Sequence, residues 1–179
     1  AGVLNVITAS SGHEVGQELC ANPIVRKLSF TGSTEVGKIL SRQCADTVKK
    51  LSLELGGNAP FMVFDDADLD AAVQGAIAIK FYNSGQTCIC ANRLLVQDGV
   101  YEAFIAKLQE ALGKLRLGNG LQPDSTHGPL INEKAIQKVD SIVNKAVEQG
   151  ARLVQGGAHL PEIGKQFFNF TILADVTPE

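Results

Sequence analysis

Short apolar runs alternate with amphipathic stretches along the chain, and each pairing of the two reads as a strand followed by a helix. VLNVIT, at 3–8, predicts a short buried strand, and SSGHEVGQELC predicts a Ser-capped turn leading into a helix. IVRKLSF, at 24–30, predicts a second strand, after which TGSTEVGKILSRQCA turns straight into another helix. KKLSLEL, at 49–55, predicts a third strand, broken by Gly56 and Gly57. PFMVF predicts a fourth, followed by a helix from about Asp68 to Asn83. LLVQ continues as a strand, and GVYEAFIAKLQEALGKL as an amphipathic helix ending near Gly118. NEKAIQKVDSIVNKAVEQG predicts a last helix with Gly150 as its cap, and ARLVQGG and NFTILADV supply strand-like runs to finish. Strands alternating with helices at this spacing predict βαβ units in a mostly parallel sheet, an α/β fold. The glycine hinge at Gly56–Gly57 is the expected internal boundary, because one strand stops there and a fresh βα pattern begins.

Composition narrows the setting. An apolar fraction of 45% and a charged fraction of 20% are ordinary for a chain with a packed core. A formal net charge of −3 gives no electrostatic reason to expect nucleic acid or an anionic membrane as partner. No apolar run approaches the roughly 18–20 residues that span a bilayer as a helix. The opening AGVLNVIT has neither an initiator Met nor a basic segment, so it does not read as a signal peptide. Both ends read as those of a fragment. The four cysteines, at 20, 44, 88 and 90, are too sparse for a secreted disulfide scaffold and favour a reducing, cytoplasmic setting. Cys20 and Cys44 fall within helical patterns, where a small buried apolar side chain is expected. There is no CxxC pair, and no zinc site is expected.

Several motifs invite chemistry and fail on one position. Gly32, Gly37 and Lys38 fit a P-loop, but the next position must carry a hydroxyl for Mg²⁺ and is Ile39. What survives is a strand-to-helix turn at Gly32 and Ser33, whose N–H groups and helix N-terminus favour one phosphate or pyrophosphate; a plain βα turn fits equally well. Asp66, Asp68 and Asp70 have calcium-loop spacing, but Ala71 and Ile77 stand where Gly and Glu are needed. These acids are expected to cap a helix instead. His13, His127 and His159 read as ordinary surface residues.

Two positions remain. In LSLELGG the strand period turns Leu51, Leu53 and Leu55 to one face and Ser52 and Glu54 to the other. Glu54 is therefore either an exposed strand-end carboxylate or a base at the end of a parallel strand, where open α/β sheets place their ligand crevice. Cys88, in NSGQTCICANR, is either a buried structural thiol or a nucleophile active as the thiolate. Cys90 would face the same side as Cys88 in an extended segment, and the pair could form a strained, readily reduced disulfide.

Taken together, FTGSTEVG, LELGG and GQTC, in that order and with Glu54 and Cys88 34 residues apart, resemble the aldehyde dehydrogenase superfamily. GPLI at 128–131 and the later EQGARLVQGG extend the likeness over nearly the whole chain. SLELGGNAPF and NSGQTCICANRLLVQDGVY look most like the succinate-semialdehyde dehydrogenase branch. The resemblance implies truncated, parallel-sheet Rossmann-like βα units, with 1–56 ending a dinucleotide-binding domain and 57–179 beginning a catalytic domain. It implies NAD or NADP as cofactor, a small aldehyde as substrate and a homo-oligomeric parent enzyme. Cys88 would attack the aldehyde carbonyl, a hydride would leave to the nicotinamide, and Glu54 would act as base for the hydrolytic water. Gly32 and Ser33 would meet the pyrophosphate, and Leu55 would lie near the nicotinamide. The Cys88 N–H would stabilise the oxyanion, worth about 3 kcal/mol per donor in comparable sites.

The likeness also has departures. The family's second oxyanion donor, an Asn in a PWNFP-like segment, and its EETFGP-like ribose contact are not among these residues. The succinate-semialdehyde branch carries Arg six residues before the nucleophile, where this chain has Tyr82. A neutral phenol cannot replace a bidentate guanidinium–carboxylate pair. A catalytically silent segment, or an enzyme for a different small aldehyde, is the alternative expectation.

Overall fold

The computed structural model describes residues 2–177, and the chain divides into two compact units, at 1–57 and 58–179. In the first unit, helix α1 (Gly12–Ala21) precedes strand β1 (Lys27–Thr31), helix α2 (Thr34–Cys44) and strand β2 (Lys50–Glu54). β1 and β2 pair in parallel, with Lys27 opposite Lys50 and Thr31 opposite Glu54. This is the expected βαβ unit, since parallel neighbours require a crossover. α1 and α2 close its core through Cys20, Leu28, Leu40 and Cys44, with Phe30 and Leu51 packed against them. Gly37 on α2 lies so close to Leu55 that a Cβ there would stand 2.7 Å from the leucine Cδ2. Lys49 is buried beside this core, its ammonium donating to the carbonyls of Asn22 and Val25 at 2.7 and 2.8 Å.

The second unit repeats the pattern. Strand β3 (Ala59–Val63), helix α3 (Leu69–Phe81) and strand β4 (Ala91–Val96) form another parallel βαβ unit. Helix α4 (Tyr101–Leu112) packs on α3, and Val63, Val73, Ala76, Phe104, Leu108 and Leu112 make the main core with Ile172. Helix α5 (Glu133–Glu148) buries Ile136 and Val143 against Phe168. Strands β5 (Arg152–Gln155) and β6 (Ile172–Ala174) pair antiparallel. Arg152 joins these elements, its guanidinium reaching Glu102 at 2.6 Å and Asp175 at 2.8 Å. No helix among the described residues is long and apolar enough to cross a membrane.

The outcome differs from the hydropathy pattern in five places. Residues 3–8 form no strand: Val3, Leu4, Val6 and Ile7 are exposed, and no described strand pairs with them to supply a ladder. The strand expected from Ile24 begins only at Lys27, because Asn22 captures the Ile24 N–H on its side chain and the Val25 N–H on its carbonyl. α3 stops at Phe81 instead of Asn83, for reasons given below. α4 stops at Leu112, well short of Gly118; Gly113 accepts from the Arg116 guanidinium, and a turn leads on. The last strand occupies only three residues of NFTILADV, ending at Ala174 before Asp175, whose φ of 58° lies in the left-handed region. Gly150, by contrast, follows α5 in the left-handed conformation expected of a helix stop, with φ of 98°.

Candidate active site

Strand β2 alternates half-buried Leu51 and Leu53 with exposed Lys50, Ser52 and Glu54, so the Glu54 side chain stands out from the leucine face. Parallel pairing puts Glu54 and the turn after β1 at the same sheet end, and the Gly32 N–H donates to the Glu54 carbonyl at 3.0 Å. That bond spends the Gly32 amide, so Gly32 serves the turn chiefly by lacking a side chain. A Cβ there would collide with the Phe30 ring packed against it. Ser33 caps α2, its hydroxyl accepting from the Val36 N–H at 3.2 Å. The remaining first-turn amides and the helix dipole offer a place for one anionic group. Leu55, half-buried, packs on Gly37 at the same end. The structure thus brings Gly32, Ser33, Glu54 and Leu55 together at one end of the β1–β2 pair.

Cys88 belongs to the second unit, in the connection from α3 to β4. The helix cannot run on through this connection because Asn83 (φ 51°), Ser84 (φ 55°) and Gly85 (φ 79°) are successively left-handed. Asn and Gly tolerate that conformation; a non-glycine residue held there costs about 1–2 kcal/mol and persists only where neighbours fix it. The fixing groups are visible. The Ser84 hydroxyl donates to the Gly128 carbonyl at 2.8 Å. The Gln86 amide accepts from the Ile131 N–H at 2.8 Å and donates to the carbonyls of Asn83 at 3.1 Å and Pro129 at 3.4 Å.

Beyond Cys88, the chain closes a turn in which the Cys90 N–H donates to the Thr87 carbonyl at 3.3 Å. This turn places the two cysteines differently: Cys88 is exposed and Cys90 is only 1% exposed. The expectation that both face one side of an extended segment is corrected here, because the segment is a turn. The Cys90 thiol lies 2.7 Å from the Thr87 hydroxyl and donates to the Lys80 carbonyl at 3.4 Å, satisfying the end of α3. All four cysteines are free thiols. Burial, followed by the neighbouring Cys44 thiol, pushes Cys20 up to about 11, so it is a protonated core residue.

Three features near the site escaped the sequence. Gln86 and Ser84 bond to residues more than forty positions away, which no local pattern reveals. The only local sign was Asn-Ser-Gly, a run suited to left-handed backbone. His127 is half-buried, not an ordinary surface residue, with ring centroids 6.4 Å from Phe81 and 5.1 Å from Phe170. Burial pushes its pKa below the usual value, partly opposed by a hydrogen bond with the Phe81 backbone. A cavity of about 610 Å³ opens beside the Cys88 turn; Lys80, Ser84, Gln86, Thr87, Phe168 and Phe170 are among its lining residues. Asp68 accepts from the N–H groups of Asp70 and Ala71, so the acidic run does cap α3. No group of three or more metal-ligating side chains forms among the described residues.

The aldehyde dehydrogenase family model matches residues 1–179. The chain belongs to the aldehyde dehydrogenase family. It is 63% identical over 177 residues to the succinate-semialdehyde dehydrogenase [NADP(+)] of Escherichia coli (strain K12), covering 98% of this chain and 36% of that protein. It is 60% identical to a glutarate-semialdehyde dehydrogenase of Pseudomonas aeruginosa, again covering 98% of this chain and 36% of the relative. A 3-sulfolactaldehyde dehydrogenase of Pseudomonas putida is 56% identical over the whole chain and 36% of its own length. Among solved structures, an E. coli NADP-dependent enzyme superposes with a TM-score of 0.95 at 62% identity, over 99% of this chain and 36% of that one. The succinate-semialdehyde dehydrogenase of Burkholderia pseudomallei gives 0.93 at 55% identity, over 96% and 35%. The α/β architecture of parallel βα units is therefore that of aldehyde dehydrogenases, and this chain spans about a third of the relatives' length.

Proposed function

We propose that this chain carries the nucleophile and the hydrolytic base of an NAD(P)-dependent aldehyde dehydrogenase, with residues 1–56 closing its dinucleotide-binding domain and 57–179 opening its catalytic domain. The observation that carries the reading is Cys88: a free, exposed thiol just past a fixed left-handed segment at 83–85, in a chain that matches the family throughout. As the thiolate, Cys88 adds to the aldehyde carbon, and its own backbone N–H faces the developing oxyanion. A bound nicotinamide dinucleotide supplies the acceptor for the hydride that leaves that carbon. The carbonyl then re-forms as a thioester on Cys88. Glu54 takes a proton from water, the hydroxide adds to the thioester, and the thiolate departs as the carboxylic acid forms. Ser33 and the first turn of α2 suit the cofactor's pyrophosphate, since the helix starts at the sheet end that bears Glu54 and its N-terminus favours an anion. Gly32 keeps that approach open, and Leu55 offers an apolar surface for the nicotinamide.

Succinate semialdehyde is the first substrate to test, from the names of the relatives. Tyr82, exposed six residues before Cys88, favours a second reading in which an uncharged small aldehyde is preferred. The parent enzyme is read as a homo-oligomer of a reducing, cytoplasmic setting. A further alternative is that residues 1–179 alone are a silent folded segment.

The test uses the full-length enzyme containing this segment. Cys88→Ala should abolish NAD(P)H production, and undiminished turnover would remove the nucleophile assignment. Glu54→Gln should spare the burst of acyl-enzyme formation while slowing deacylation by about 10²-fold or more, within the range of general-base catalysis. Equal loss in both phases would argue against a hydrolytic base. Comparing kcat/KM for succinate semialdehyde and butyraldehyde in the same assay separates the two substrate readings.

A further inference from the structure

We infer that Gln86 is a positioning residue for Cys88, locking the nucleophile turn to the loop at 128–131; the inference rests on the nucleophile reading proposed above. The turn has two anchors. Downstream, the buried Cys90 thiol holds it to the Lys80 carbonyl at the end of α3. Upstream, one side-chain amide does the corresponding work with both of its ends. Gln86 Oε1 accepts from the Ile131 N–H at 2.8 Å, while Nε2 donates to Asn83 O at 3.1 Å and Pro129 O at 3.4 Å. Asn83 replies, its side-chain amide donating to the Gln86 carbonyl at 3.3 Å.

The chemistry of an amide suits this place. A carboxylate could accept from Ile131 but would turn oxygen toward two carbonyl oxygens. A lysine could meet the carbonyls but would leave the Ile131 N–H facing a cation. Gln86 alone in the turn satisfies a donor and two acceptors on both sides of it. Ser84 adds a single bond to Gly128. The left-handed residues Asn83, Ser84 and Gly85 end immediately before Gln86, and Cys88 follows two residues later. Releasing the amide therefore lets the strained segment relax and displaces the thiol, without removing any group that reacts. Misplacing a reacting atom by about 1 Å can cost about 10²-fold in rate.

The test reads geometry and catalysis separately. In the isolated chain, Gln86→Ala should raise amide exchange in the peptide covering 82–91 and at Ile131 by about fivefold or more, with α4 unchanged, because the opening is local. Gln86→Glu keeps the acceptor for Ile131 and should restore protection there but not in 82–91. In the full-length enzyme, Gln86→Ala should lower kcat by about tenfold or more while KM for the aldehyde moves less than about threefold. Unchanged exchange in 82–91, or unchanged kcat, would overturn the inference. So would exchange that rises equally in α4, since that marks general destabilisation. These results stand apart from the Cys88→Ala assay, whose failure would remove the nucleophile and leave the clamp in place.

Discussion

Individual residues declared their types more readily than their surroundings. Glu54 was readable as an outward strand-end carboxylate because period two suffices to place it, and β2 keeps that alternation. Cys88 and Cys90 were readable as a pair of thiols but not as one exposed and one buried. That difference depends on a turn whose partners lie at Lys80 and at 128–131. His127 makes the same point in terms of charge. Enclosed by Phe81 and Phe170, it has a folded pKa below the ordinary value near 6.5, with loss of hydration the main cause. The unfolded chain therefore binds the proton first as pH falls. Stability from neutral His127 is complete above about pH 6.5 and declines as pH drops through that value toward the folded pKa. Urea midpoints measured between pH 8 and pH 5 should show this loss, and His127→Gln should flatten it. Parallel curves for the two proteins would mean that another group governs the transition.

At the level of elements, boundaries followed the groups that satisfy backbone ends, more than hydropathy. Asp68 was legible as the cap of α3, and its carboxylate holds two orphan N–H groups at 3.0 and 3.1 Å. Asp68→Ala should cost about 1 kcal/mol, measured by chemical denaturation, whereas Asp68→Asn should cost little. A loss below a few tenths would show that neighbouring Asp70 or water takes over the amides. The errors were of the opposite kind. VLNVIT has the composition of a strand, yet a strand needs a hydrogen-bonded neighbour, and composition says nothing of that. The far end of α4 was overrun because Leu115 continues the apolar spacing after the helix has ended at Leu112.

For the molecule as a whole, the order of strands and helices sufficed for the α/β class, and each compact unit holds one parallel βαβ motif. Identity came from three short motifs in sequence, well beyond what any one of them carries. The extent of the chain then bears on activity. It covers 36% of its E. coli relative, and neither the second oxyanion donor nor the ribose contact implied by the resemblance is among its residues. The chain alone is expected to give no sustained NAD(P)H production from succinate semialdehyde with either nucleotide. Steady turnover under those conditions would show that residues 1–179 suffice.

The contrast between Cys88 and the other three cysteines has a practical side. Cys20, Cys44 and Cys90 each show 1% of their surface to solvent, whereas Cys88 stands exposed. Thiol reagents react through accessible thiolate. Residues 1–179 therefore already contain a single addressable attachment point. A fluorophore or spin label placed there, with no cysteine removed, would sit on the 82–90 connection and report directly on its motion.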